Sequence, residues 1–372
     1  MNQLFATGYK AILDSIDKVD PIQYGKSRNY IDGAVTCLSP YISRGVVSTK
    51  QVLKSVLEKG YKIPQIESFI KELCWRDYFQ RVGQHKDLNA EIKHPQKPVL
   101  NEGIPVAVLN ASTGIQGIDN AINQLYKTGY MHNHCRMYTA SLVCNIAKSH
   151  WLHPAQWMYY HLLDGDLASN ACSWQWVAGA NSNKKYFANQ DNINKYTYTN
   201  QADTYLDISY EDIEYTDTPV SLSASRKFIP ETELPAASAV TIDTALPTFI
   251  YNYYNLDPLW HKNEPGNRIL LIEPSFFLLY PVSKKCMEFM LALSKNIPGI
   301  QVYTGSFKSF SEKYKTANIH YKEHPLNTGY KGTEEPRDWI SDEITGYYPS
   351  FFAFWKKIEK QLNNSVNKND HS

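Results

Sequence analysis

The run Asp164-Gly165-Asp166-Leu167-Ala168-Ser169-Asn170, followed closely by Trp174-Gln175-Trp176, concentrates more chemistry than any other part of this chain. It sets two carboxylates, a carboxamide and two indoles within roughly a dozen residues. Acidic groups beside large aromatics suit a bound cofactor better than a plain core, where an unpaired carboxylate is costly. If the segment enters a helix, Asp166 and Asn170 share a face at i and i+4. Carboxylates there can accept hydrogen bonds from a ligand amide or ribose, or pair with a buried arginine. On spacing alone, N-capping by Asp164 or Asp166 is the simpler account. Trp174 and Trp176 on the same element, and Arg136 as a candidate cation upstream, shift the balance toward a ligand site.

The elements that must position these groups are mostly helical. A second motif block, Thr113-Gly114 and then Thr128-Gly129-Tyr130-Met131-His132-Asn133-His134-Cys135-Arg136-Met137, lies in the same region, residues 40–180. Apolar residues there recur near the 3.6 period: Val52, Val56 and Leu57, then Phe69, Leu73 and Trp75, then Ile115, Ile118, Ile122 and Leu125. Pro40, Gly60 and Gly129 fall at expected helix ends. From 200 to 247 Ser, Thr, Pro and Ala accumulate, which reads as a linker or a long surface excursion. Arg268–Ile272 then reads as a buried strand, Lys284–Lys295 as a helix and Ile300–Tyr303 as a second strand, the pattern of a parallel α/β unit. A last helix is expected over Ser350–Leu362. The expected class is therefore mainly α: a helical domain over 1–200, a linker over 201–247, and a small α/β domain with a terminal helix over 248–372.

Composition narrows the partners. A formal charge of +1 on 372 residues gives no global basic signal for nucleic acid, so any DNA binding must use a local patch. The six cysteines, at 37, 74, 135, 144, 172 and 286, form no CxxC pair. They read as small buried hydrophobes in a reducing cytoplasm, with neither a disulfide framework nor a metal site expected. No apolar run reaches the length of about 18 residues that a membrane span requires.

The motif blocks resemble the flavin-binding helical domain of the photolyase/cryptochrome family. The shared patterns are Asp-Gly-Asp-Leu-Ala-x-Asn, Trp-Gln-Trp and Thr-Gly-Trp-Met-His-Asn-x-x-Arg-Met, the last with Tyr130 in place of its tryptophan. Two more agree: Leu38-Ser39-Pro40-Tyr41, preceded by Tyr24 and Arg28, and Glu72-Leu73-Cys74-Trp75-Arg76. The resemblance implies an all-helical domain binding FAD, followed here by the small α/β segment. It implies that Tyr24, Thr36, Leu38 and Ser39 line the phosphate and ribose portion, with Arg76 near the diphosphate or bound DNA. Arg136 and Asp164 would pair beside the flavin ring, Asp166 would bond ring or ribose polar groups, and Asn170 would face N5. A carboxamide at that place implies a photolyase rather than a plant- or insect-type receptor.

On the substrate side, Glu72, Trp75, Asn133, Met137, Trp176 and Arg28 would meet a cyclobutane pyrimidine dimer in single- or double-stranded DNA. Trp75 and Trp176 would offer faces to flipped bases. Glu72, Asn133 and Asn170 would be the catalytic contacts, with Trp174 and Trp151 relaying electrons to the flavin. The implied activity is a light-dependent carbon–carbon lyase. The alternative is a cryptochrome-like light or redox sensor that signals through a protein partner. His132 and His134 are expected to be structural or DNA-facing.

Departures from the family are also visible. No tryptophan lies between Trp75 and Trp151, so the third, surface member of the usual relay is missing; Trp157, Tyr78, Tyr126 or Tyr130 could stand in. About two dozen residues precede the first flavin motif, where the family usually has its antenna-binding α/β domain. The C-terminal α/β segment is either a relocated, abbreviated version of that domain or an unrelated cap.

Overall fold

The structure, a computed structural model, describes residues 5–316 and 318–369. The chain forms two compact units. One, the helical unit, comprises Gln23–Val35 and Lys86–Pro230; the other, the α/β unit, comprises Met1–Ile22, Thr36–His85 and Glu231–Ser372. These divisions do not follow the boundaries near 200 and 247 that composition suggests, because the Thr36–His85 stretch, helical as expected, packs with C-terminal segments.

In the helical unit, Gln116–Thr128 buries Ile118, Ala121, Ile122 and Leu125, one stripe at helical spacing. The helix stops at Gly129, whose φ of +75° is left-handed and whose N–H returns to the Leu125 carbonyl. A Cβ at Gly129 would also come within 2.7 Å of the Leu163 side chain, so both backbone and packing demand glycine. Helices Asn133–Ser141, Leu152–His161 and Leu167–Ala178 follow, and the third packs on the other two. Their shared core includes the fully buried Trp151, Trp157 and Trp174. Two short strands, β1 (Ile104–Pro105) and β2 (Ser225–Arg226), pair antiparallel in this unit.

The α/β unit holds a five-stranded sheet: β3 (Thr248–Tyr251), β4 (Asn267–Ile272), β5 (Ile300–Thr304), β6 (Ile319–Lys322) and β7 (Thr333–Glu335). All neighbours are parallel, in the order β5-β4-β3-β6-β7, so the first strand lies at the centre. The chain winds outward one way and then the other, the doubly wound arrangement. Helix Lys284–Ser294 joins β4 to β5 and buries Cys286, Phe289, Met290 and Leu293, the face expected from sequence. Strands β3, β6 and β7 escape a sequence reading because each has four residues or fewer. Among the described residues no helix is long and apolar enough to cross a membrane.

Segments far apart in sequence close this unit. Helix Glu67–Gly83 packs on the terminal helix Phe351–Asn369, where Phe351 stacks on Trp75 at 3.8 Å and 8° and the Lys71 ammonium lies 5.2 Å above Trp355. Asp77, on the same helix, is 6% exposed. Its carboxylate accepts from the Thr49 hydroxyl at 2.8 Å and from the Ile340 amide at 2.8 Å. Burial raises the Asp77 pKa even though both donors favour the charged form. Asp77→Ala leaves both donors without an acceptor and is expected to destabilise this unit by about 3 kcal/mol. Urea unfolding followed by circular dichroism measures this, and an unchanged midpoint would show that the tether is dispensable.

Candidate functional site

The Asp164–Asn170 segment turns tightly after the Leu152–His161 helix. Gly165 donates to the Leu162 carbonyl at 2.9 Å, and a Cβ there would lie 3.0 Å from the carbonyl oxygens of both Leu162 and Tyr159. The Leu163 amide donates to the Gly129 carbonyl at 2.8 Å, which ties this turn to the one ending the Gln116–Thr128 helix. Asp164 is thereby presented to Arg136. One guanidinium nitrogen, Nη2, donates to both Asp164 oxygens at 3.0 and 2.8 Å, while Nε donates to the Met131 carbonyl at 2.8 Å. The carboxylate side chain is 4% exposed and the arginine 21%, so the pair is largely removed from water. A buried pair of this kind needs good geometry to offset its desolvation, and the bonds to both carboxylate oxygens supply it.

Asp166 is the N-cap of Leu167–Ala178, its extended backbone letting Oδ1 accept from the Ser169 amide at 2.8 Å. The capping account thus holds for Asp166, whereas Asp164 is the one that pairs with arginine. Asn170, a turn further on, donates from Nδ2 to the Ala155 carbonyl at 2.8 Å, so its carboxamide is fixed and its oxygen remains as the acceptor. The Ser169 hydroxyl is buried without a protein partner. Arginine, carboxylate, an oriented amide oxygen and an unsatisfied buried hydroxyl therefore gather around one helix entry. That donor and acceptor set fits the polar edge of a flavin nucleotide.

The other aromatic residues of this unit sort by burial. Trp174 and Trp151 are 2% and 1% exposed, whereas Trp176 is 38% exposed and tilted against Tyr186 at 5.8 Å. Trp157 is fully buried, and its indole N–H donates to the Tyr126 hydroxyl at 3.1 Å, which donates in turn to the Leu109 carbonyl at 2.8 Å. Of the four stand-ins for a third relay member, Trp157 and Tyr126 are thus joined directly, with Tyr126 only half-buried. Asn133 is exposed at the first turn of its helix, Met137 packs on the core, and Tyr24 and Arg28 are half-buried.

The remaining predicted residues belong to the α/β unit. Ser39 opens the five-residue helix Ser39–Ser43, after Leu38, whose amide donates to the Thr36 hydroxyl at 3.3 Å. Leu38 is buried, so its side chain serves packing and only its backbone could serve a ligand. Arg76 donates to the Ser43 hydroxyl at 3.0 Å. Glu72 and Trp75 are half-buried on Glu67–Gly83. One face of Trp75 is covered by Phe351, a contact absent from any sequence expectation because nothing in the local pattern links the two. The sequence reading also passes over His261, His320 and Glu335, three potential metal ligands from separate elements of this unit. A small crevice of about 30 Å³ opens beyond the carboxyl ends of β3, β4 and β6, lined by Asn252, Tyr254, Glu273, His324 and Tyr330 among others.

The arginine clamp and the capped helix sit within one helical core. Residues 69–207 match the family described as the FAD binding domain of DNA photolyase. A deoxyribodipyrimidine photo-lyase of Streptomyces griseus is 30% identical over 43% of this chain and 37% of its own length. A chloroplastic/mitochondrial cryptochrome DASH of Ostreococcus tauri is 32% identical over 47% of this chain and 33% of its own. Among solved structures, a Synechocystis cryptochrome covers 52% of this chain and 44% of its own at 23% identity, with a TM-score of 0.46. The match therefore concerns residues 69–207, a region similar to the FAD binding domain of DNA photolyase, and FAD is the cofactor that this similarity supports. The chain spans about a third of the length of the curated relatives that it matches.

His132 and His134 bear on this site through protonation. Burial and then the Arg136 charge push His132 down to about 4, and burial, then His132 and Arg28, push His134 down to about 4. Both rings stay neutral near pH 7, which argues against either as a general acid. His132 instead caps its helix, Nδ1 accepting from the His134 amide at 3.2 Å. Unfolded imidazoles take up a proton near pH 6.5, whereas these two, when folded, do so only near 4. Their contribution is therefore full above about pH 6.5 and is lost as pH falls toward 4; for His132 it amounts to about 3 kcal/mol. Thermal melts across that range should show the midpoint falling, and His132→Asn, which keeps a capping side chain, should flatten the slope. An equal slope in the variant would exclude His132 as its source.

Proposed function

We propose that this protein repairs cyclobutane pyrimidine dimers in DNA, using FAD and light. The observation that carries the reading is the Arg136–Asp164 clamp with a fixed Asn170 carboxamide one helical turn beyond the Asp166 cap. The curated relatives that match this region support it by name, as deoxyribodipyrimidine photo-lyases. When bound and reduced, FAD supplies the excited electron that opens the dimer and receives it back. The chain's own part is to hold and tune. Arg136 and Asp164 present a fixed charge pair, and Asn170 offers a neutral acceptor to a ring N–H, which favours the reduced cofactor. Asp166 caps the helix and keeps Asn170 in place.

In the helical unit Tyr24 is assigned to the cofactor, and Asn133, Met137, Trp176 and Arg28 to the damaged strand. In the α/β unit Thr36, Leu38, Ser39 and Arg76 are assigned to the cofactor's phosphates and ribose, and Glu72 and Trp75 to the dimer. Trp174 and Trp151 carry electrons inward, and the Trp157–Tyr126 pair extends that route toward solvent. Six free cysteines suit a reducing cytoplasm.

The stacking of Phe351 on Trp75 favours a second reading, a cryptochrome-like sensor without repair, because a base cannot use the face that Phe351 covers. Anaerobic illumination of the chemically reduced protein with a thymine-dimer oligonucleotide, single- or double-stranded, decides. Repair that falls at least ~100-fold in Glu72→Ala is expected, the loss typical of one positioned catalytic group. Absence of repair with FAD bound and reduced would leave the sensor. Trp174→Phe is expected to slow photoreduction by more than ~10-fold while chemically reduced enzyme still repairs; equal photoreduction would remove Trp174 from the relay.

A further inference from the structure

Three side chains of the α/β unit converge with no role in the flavin chemistry. His261 comes from the loop after β3, His320 from β6 and Glu335 from the end of β7. A single carboxylate oxygen, Glu335 Oε1, lies 2.8 Å from His261 Nε2 and 2.9 Å from His320 Nδ1. The other oxygen, Oε2, accepts from the Trp260 indole at 2.8 Å and lies 3.0 Å from His261 Nε2, so Oε1 is the oxygen that the two imidazoles share.

The far nitrogens are engaged as well. His261 Nδ1 is 2.7 Å from Glu264 Oε1, and His320 Nε2 is 3.1 Å from Asn318 Oδ1. Each imidazole thus meets oxygen acceptors at both nitrogens, although a neutral ring has only one N–H. In the tautomers that donate outward to Glu264 and Asn318, one of the arrangements these distances allow, the inner nitrogens turn lone pairs on a carboxylate. Three acceptors then face one another with nothing cationic among them. Protonating both rings would satisfy the same oxygens, but at the expense of two like charges with ring centroids 5.6 Å apart.

We propose that His261 Nε2, His320 Nδ1 and Glu335 Oε1 are the protein ligands of a divalent transition-metal site of the zinc class. Two imidazoles and a carboxylate are a usual three-ligand set for this ion. Metal–ligand bonds of about 2.0–2.1 Å set ligand atoms roughly 3.4 Å apart in a tetrahedral arrangement, so the two N–O distances of 2.8 and 2.9 Å need open only slightly, and all three atoms already lie within 4.8 Å of one another. The outward hydrogen bonds fix each tautomer, Glu264 acting on His261 as a carboxylate acts on a metal-bound histidine. Phe249 stacks on the His261 ring at 4.2 Å and 15°, holding its plane. Two nearby cations are committed elsewhere, Arg268 to the His261 and Glu264 carbonyls and Lys322 to Asp257. Side-chain exposures of 16, 21 and 25% leave room for water in the fourth position. The ion would pin the edge strand β7 and the loop after β3 to β6, and it is independent of the flavin reading.

The test uses the full FAD-loaded chain, stripped with a chelator, dialysed and titrated with zinc chloride by calorimetry, with bound metal counted by elemental analysis. One zinc per chain is expected, together with a rise in melting temperature. Glu335→Gln, which keeps the shape and a hydrogen bond, and His320→Ala should each weaken binding by more than ~100-fold, beyond the range of outer-shell changes. Glu264→Gln should weaken it by roughly 10-fold. His150→Ala, which alters an unrelated His–Glu pair in the helical unit, should change nothing. No retained zinc in the parent protein, or equal binding in a folded Glu335→Gln, would overturn the site and leave a protonated histidine network in its place.

Discussion

The chemistry of the helical unit depends on burying one ion pair without leaving either charge unsatisfied. Arg136 and Asp164 are held by two turns, one at Gly129, where φ is left-handed and a Cβ would clash, and one at Gly165, where a Cβ would be tightly crowded at 3.0 Å. Those turns meet through the Leu163–Gly129 backbone bond, which brings the two segments together, and the side-chain bonds of Arg136 to Asp164 and to the Met131 carbonyl then fix the pair. Such preorganisation matters because a charged pair in a low-dielectric site interacts strongly only if it need not rearrange. Breaking it by removing either partner would strand a buried charge, which is far more costly than the net value of the intact pair. The cap at Asp166 and the fixed Asn170 then follow in the same helix, within one turn of the clamp.

The parts of the site legible in sequence are those that are contiguous. Asp164 through Trp176 is one turn and one helix, so spacing alone placed Asp166 and Asn170 together and offered capping as an account, which Asp166 fulfils. Assigning Arg136 to Asp164 required the family resemblance, since the two come from different helices and neither spacing nor charge count selects the partner. The helical stripes of Gln116–Thr128 and Lys284–Ser294 were legible for the ordinary reason that 3.6-residue periodicity persists over three turns. Strands β3, β6 and β7 were not, since four residues or fewer carry no reliable period and their burial comes from neighbours in the sheet.

What stayed hidden is convergent. Phe351 and Trp75 belong to helices at opposite ends of the chain, and each reads locally as an ordinary core aromatic. His261, His320 and Glu335 fall in unremarked polar stretches and meet only because β3 is the central strand, with β6 and β7 outside it. A doubly wound sheet necessarily brings sequence-distant loops to one end, which is why ligand and metal groups in such folds rarely announce themselves as a motif.

The family resemblance and the unit boundaries also answer different questions. The match over 69–207 begins inside the Glu67–Gly83 helix, which packs with Phe351–Asn369 and is tethered through Asp77 to Ile340. Part of the matched region is therefore stabilised by residues outside it. Evolutionary matching follows chemistry along the chain, whereas packing follows whichever surface buries the most apolar area. Trp75 lies where these two demands meet. Its identity suits a base-stacking role, yet one of its faces satisfies the packing of the terminal helix, and only the uncovered remainder of the ring can serve a ligand.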